Sequence, residues 1–296
     1  MRGRFIKDRL ASLGMMVIVV LAGVLVFVMV FALYWKSRPI LEVKSLSELF
    51  LGKVWGPSRG EFGFLPFIVG TLWVTMVSVI ISVPLCVLSA IYLSEYSPRW
   101  LREWSKPLID LLAGIPSVVY GVWGVMMVVP LVRNYLGGFL GVETSGYCVL
   151  SGGLVLAIMI SPVIIHISIE VLGAVGFELR EASLALGATR WQTVKGTVVR
   201  KALAGIIAGV GLGLARAFGE TMAVLMVTGN VARIPRSVFE PAYTLPALIA
   251  NNYGEMLSVP LYDSALLLGA FILLLVTLIF NIISRLVLLR IEGRGY

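Results

Sequence analysis

The sequence predicts an all-α integral membrane protein of six transmembrane helices, on three observations. Of its 296 residues, 59% are hydrophobic and only 14% charged, and the mean hydropathy is +0.97, far from the balance of a soluble domain of that length. Apolar runs long enough to cross a hydrocarbon core of roughly 30 Å recur near 13–35, 67–93, 108–132, 148–169, 203–228 and 264–289. Most of the charged residues fall between these runs. The chain, 1–296, reads as a single transmembrane domain.

The first run follows Arg2, Arg4, Lys7 and Arg9. Its apolar part is much longer than a signal-peptide core and no small-residue cleavage site follows, so it is expected as a retained helix. Six spans place both termini on one side. The Lys and Arg residues of the segments sharing that side, among them Arg99, Arg102, Lys106, Arg180, Arg190, Lys195, Arg200 and Lys201, outnumber those on the other. Positive charge marks the cytoplasmic side, so a multi-pass protein of the cytoplasmic (inner) membrane with both termini inside is expected. The net charge of +8 then has a topological cause, and no clustered basic surface speaks for nucleic acid.

Cys86 and Cys148 lie within or at the end of apolar runs and suggest neither a disulfide nor a metal site. The single histidine, His166, near the end of the fourth run, suits a buried structural or interfacial position better than a proton carrier, and alone makes no metal site. No P-loop, HExxH or paired-Cys pattern occurs. The expectation is a non-enzymatic chain that binds no cofactor or metal; if transport uses ATP, another chain hydrolyses it.

Along the chain, residues 36–66 are polar, with Trp55-Gly56-Pro57 and further glycines, and read as an external loop with a short interfacial helix around Leu46 to Leu51. The second run carries Thr71, Thr75, Ser78 and Ser82 on one helical face. Helix packing is the commoner use of such a stripe, and a polar substrate path is the alternative. Pro84 should kink the same helix. Residues 94–107 are short and charged, as a cytoplasmic turn would be. Leu111 to Gly121 then combines glycines with Pro116, so the third span should be irregular or bent, and irregular backbone at membrane depth must face protein or water. Ser117 and Tyr120 are placed to line that bend, although a tyrosine satisfied by a neighbouring carbonyl is the commoner outcome.

The fifth run holds the expensive residues. Gly205, Gly209, Gly213, Arg216 and Glu220 are spaced to share one helical face about 80° wide. An Arg or an acidic residue at the centre of a spanning helix costs roughly 2.5 to 3.5 kcal/mol on insertion scales, so such groups point into protein or a water-filled path. The glycines allow close helix approach. The planar, permanently charged fork of Arg216 suits phosphate oxygens, and Glu220, one turn on, is within reach to hold and partly neutralise it. A structural ion pair that never meets substrate is the alternative.

Before this run, residues 177–201 predict a protruding helix, turn, helix. Gly187 can take the left-handed conformation that ends a helix, and Thr189 can cap the next one. Leu179, Ala182, Leu186 and Trp191 supply apolar positions that call for a partner.

Two groups of motifs carry a family resemblance. Glu181-Ala182-Ser183, followed by Gly187, resembles the EAA loop of ATP-binding-cassette importer permeases, with Ser183 where that family has a second Ala and Thr197-Val198-Val199-Arg200 where it has Ile-x-Leu-Pro. The stretch Ala215 to Val224 with Thr228-Gly229-Asn230, together with Gly114 to Gly121 and Phe67 to Leu72, resembles the PstC-type permeases of phosphate importers over about residues 50–290. Met222-Ala223 stands where the PstA-type partner has Ala-Pro.

The resemblance implies a type I ABC importer permease fold and a heterodimeric channel for inorganic phosphate formed with a PstA-like second permease. Two PstB-like ATPases using ATP, and a PstS-like external binding protein, complete the assembly in the lipid bilayer. It associates Arg216 and Glu220 with transport, and Glu181, Ala182, Ser183 and Gly187 with ATPase coupling. A permease for another oxyanion, sulfate or molybdate, and a stand-alone secondary transporter or channel are the competing readings.

Overall fold

The computed structural model describes residues 2–255 and 259–292, with side chains placed over 9–255, 259–286 and at 289 and 290. In chain order the helices are α1 (Arg2–Val43), α2 (Leu46–Leu51), α3 (Leu65–Ile91), α4 (Arg99–Gly114), α5 (Ser117–Leu140), α6 (Val149–Gly173), α7 (Phe177–Ala185), α8 (Arg190–Gly219), α9 (Met222–Val227), α10 (Leu245–Asn252) and α11 (Tyr262–Glu292). Among the described residues, six of these are long and apolar enough to cross a membrane: α1, α3, α5, α6, α8 and α11.

The first span outruns its apolar stretch and continues to Val43 through Pro39. Ser37 and Ile40 explain why, since both are fully buried in the last two turns. Ser45 caps α2, accepting from the Glu48 backbone nitrogen, and the short helix falls on the residues the sequence suggested. A two-stranded antiparallel hairpin follows, β1 (Trp55–Gly56) with β2 (Glu61–Phe62), in the register Trp55 to Phe62. Trp55 meets Phe62 and Phe67 edge to face at centroid distances of 5.6 and 5.2 Å. These rings share an apolar cluster with Ile40, Leu49, Leu248, Tyr262 and Leu266. The ends of α1, α3, α10 and α11 are thereby tied together beneath the hairpin.

The centre of the bundle is α3 packed on α6. Their axes approach closely because α6 offers glycines: a Cβ added to Gly153 would overlap Val77, and one on Gly152 would meet Thr228 and Val74. Small residues at helix crossings gain dispersion contact in lipid, where no hydrophobic drive exists between apolar helices. The four hydroxyl residues of the stripe on α3, Thr71, Thr75, Ser78 and Ser82, are buried.

The third span differs from expectation. Instead of one run from 108, the chain forms α4, breaks at Ile115-Pro116 and restarts at Ser117. Pro107 sits inside α4 without ending it, so the expected turn over 94–107 is in large part helix. The reason is amphipathicity: Trp100, Trp104, Leu108 and Leu111, spaced at helical intervals, are all exposed in one apolar stripe. The expected irregularity is present, as the break and as π turns at Gly124–Val128 and Val132–Gly137 within α5.

Candidate transport site

In α8 the glycine stripe packs as its spacing predicts. Added Cβ atoms on Gly205, Gly209 and Gly213 would meet Val171, Ile167 and Ile164 of α6, the last at 2.8 Å. Beyond Gly213 the single-helix expectation fails. α8 stops at Gly219, Glu220 takes an extended backbone (φ −72, ψ 126), and the chain resumes helix only at Met222. Glu220 therefore does not continue the face that carries Gly213 and Arg216. Its carboxylate turns forward, and Oε1 accepts a hydrogen bond of 3.1 Å from the Ala223 backbone nitrogen. That bond satisfies one of the donors a helix start leaves unpaired, and a carboxylate also suits the positive end of the helix dipole.

The break lies in the middle of the bundle. Gly213 sits beside Ile164 and Thr228 beside Gly152, so residues 213–228 run along α6 from near its centre toward its start. Arg216 is exposed. Among the described residues no carboxylate lies within the 4.0 Å of an ion pair with it, so the expected Arg216–Glu220 pair is not formed. The Tyr120 hydroxyl donates to the Leu112 carbonyl at 2.8 Å and bridges the break between α4 and α5, the satisfied arrangement named as the commoner outcome. Ser117, in the first turn of α5, is half-buried.

The hydroxyls of α3 lie apart from this exposed arginine in their bonding. Thr71 donates to the Phe67 carbonyl at 2.7 Å and accepts from the Leu245 nitrogen at 2.9 Å. Ser78 donates to the Thr75 carbonyl at 2.8 Å. His166 pairs with Asp110 of α4 at 3.5 Å, both side chains more than half exposed.

At the opposite end of α6, residues 177–201 form the protruding pair of helices. Gly187 has φ +83, the left-handed conformation that ends α7, and Thr189 makes a capping box with Gln192. Glu181, Ala182 and Gly187 are exposed. The departure from the family pattern at Ser183 has a local purpose: its hydroxyl lies 2.9 Å from that of buried Thr193 and pins α7 to the first turn of α8. Phe177, Leu184, Leu186 and Trp191 are exposed, Leu186 at 89%, an apolar surface at the tip of the loop.

Sequence reasoning did not single out Glu95. It lies in the π turn Tyr92–Tyr96 that ends the second span, and its carboxylate receives Arg180 at 2.7 and 3.3 Å. The two residues are 85 positions apart, and no periodicity joins them.

Residues 82–293 match the family described as the binding-protein-dependent transport system inner membrane component, which defines the class: a multi-pass membrane component of a transport system. The phosphate transport system permease protein PstC of Xylella fastidiosa (strain 9a5c) is 38% identical over 277 residues, covering 89% of this chain and 85% of that one. PstC of Mesorhizobium japonicum is 35% identical over 295 residues, covering 95% and 88%. A solved inward-facing MetNI methionine ABC transporter covers 80% of this chain and 99% of its own at TM-score 0.55 and 16% identity, a likeness of fold. The chain belongs to the PstC family of ABC importer permeases.

Proposed function

We propose that this chain is one of two permeases that together form the path for inorganic phosphate in an ATP-driven importer, with both termini cytoplasmic. A PstA-like second permease faces the exposed side of α5, α8 and α9. Two PstB-like ATPases use ATP, one of them seated on the α7 tip through Glu181, Ala182 and the apolar side chains around Leu186. A PstS-like binding protein delivers the anion at the hairpin end.

The observation that carries this reading is the interrupted fifth span, which leaves Arg216 exposed beside a break in mid-bundle. An anion leaving water must exchange its hydration for fixed donors, and a guanidinium offers a planar fork for two oxygens. Conduction also needs release, so one such fork in a wet path suits passage better than a closed cage. Glu220, held at Ala223, keeps the break open and leaves the charge of Arg216 to the anion. The hydroxyls of Ser117 and Tyr120 lie beside this path. Thr71, Thr75 and Ser78 hold α3 in place around it.

The test is ATP hydrolysis by the complete complex in vesicles, with the binding protein loaded with phosphate, sulfate or molybdate. Stimulation by phosphate alone is expected. Equal stimulation by sulfate or molybdate overturns the choice of substrate, and uptake that persists without the ATPase overturns the importer reading.

A further inference from the structure

Arg180 joins three parts of the chain at once. Nη2 donates to Glu95 Oε1 at 2.7 Å and to the Leu172 carbonyl at 2.9 Å, and Nε donates to Glu95 Oε2 at 3.3 Å. Nη1 donates to the carbonyls of Val175 and Gly176. One side chain thus holds the end of α3 through Glu95, closes the carbonyl end of α6, and is itself in the first half of α7. Arg190, at the start of α8, donates to the Glu95 backbone carbonyl and lies over the Tyr96 ring at 4.9 Å. The Arg180 and Glu95 side chains are 17% and 10% exposed.

An ion pair this enclosed is unlike a solvated surface bridge. Its geometry is fixed by a planar fork, and a bidentate pair resists both rotation and slippage. Both partners also line a cavity of about 580 Å³ between α7 and the span ends, and Arg102 and Glu181 line it with them. A linkage held at once to Glu95 and to the carbonyls that end α6 leaves α7 little freedom to move alone, so the elements it joins are displaced together.

We infer that the Arg180–Glu95 pair is the joint through which a displacement of α7 reaches α3 and α6, and that Arg180 and Glu95 are positioning residues for coupling. The inference rests on the ATP-driven importer reading above. It assigns the transmission of movement to the buried polar junction behind α7, while the exposed residues of α7 serve attachment. A purely structural pair would support assembly and hydrolysis together. A coupling joint governs how much anion crosses for each ATP consumed.

The experiment uses the complete complex in vesicles, carrying Glu95→Gln or Arg180→Lys, with phosphate uptake and ATP hydrolysis measured on the same preparation. The expected result is hydrolysis within about twofold of the unmodified complex and uptake per ATP lower by about tenfold. Uptake per ATP unchanged, whether the two rates stay high or fall together, overturns the joint. If the variants do not assemble, spin labels at Tyr92→Cys and Glu178→Cys in a complex with the pair intact decide the matter. A constant separation with and without trapped nucleotide supports the joint, and a change in separation overturns it. Absence of ATP-driven uptake by the unmodified complex is a different failure, since it removes the importer reading and the joint falls with it.

Discussion

The Thr71 hydroxyl receives the backbone nitrogen of Leu245, 174 residues away, at 2.9 Å in a fully protein environment. α10 begins at Leu245, so a side chain of the second span supplies the acceptor that a helix start lacks. Replacing Thr71 by Val keeps the shape and removes that acceptor, leaving a buried N–H unpaired at a cost of about 1 to 3 kcal/mol. Thermal unfolding of the purified protein in detergent should show a lower Tm for Thr71→Val, and a Thr71→Ser variant should recover most of the loss. An unchanged Tm for the Val variant would remove the latch from the account.

Gly153 is where the central pair of helices is most sensitive. A side chain there overlaps Val77. Gly153→Val is expected to cost roughly 1 to 3 kcal/mol by overpacking, read as a fall in Tm and in the yield of folded protein. Gly196→Ala, where an added Cβ meets nothing within 4 Å, is the control and should lower neither measurement.

Arg216 and Glu220 separate in their effects because they do different things. Arg216→Gln should leave assembly and Tm unchanged and lower phosphate uptake by tenfold or more. Glu220→Ala removes the acceptor for Ala223 and should destabilise by about 0.5 to 2 kcal/mol, the range for loss of a helix cap. Glu220→Gln retains an acceptor oxygen and should restore stability. Matched loss of uptake in both Gln variants, with no stability difference between Glu220→Ala and Glu220→Gln, would instead favour a charge pair.

Gly187 ends α7 with φ +83, where a Cβ meets no atom but the backbone itself is unfavourable for an L side chain, by about 1 to 2 kcal/mol. Gly187→Ala should therefore loosen the α7 tip. The measurement is retention of the ATPase subunit during washing of the immobilised complex, which should fall, whereas Gly196→Ala, with nothing near its added Cβ, should not change it.

The spans were legible because apolar length is a one-dimensional property, and the tip of the loop was legible because Gly187 and Thr189 are local signals of helix end and start. The break at Glu220 was not. Gly219-Glu220-Thr221-Met222 contains no proline, and the glycine spacing before it extends smoothly onto Glu220, so periodicity carried the helix past its true end. What ends it is tertiary: Ala223, Val224 and Val227 are buried, with Ala223 and Met226 against Gly121 of α5, and that packing sets the direction of α9. α4 was obscured by Pro107, a local signal overruled by an amphipathic face. The Glu95–Arg180 contact had no local signal at all, since it depends on the ends of two spans meeting.

The six residues Met222–Val227 have a non-helical joint at each end. Glu220 is extended on one side, and Gly229 and Asn230 have φ +84 and +50 on the other. Bending a continuous helix disrupts its hydrogen-bond ladder, but a segment already separated from both neighbours rotates about its joints with its internal ladder whole. The hydrogen-bond ladder of this short cylinder is thus separate from that of α8, and Arg216 stands one turn before the joint between them.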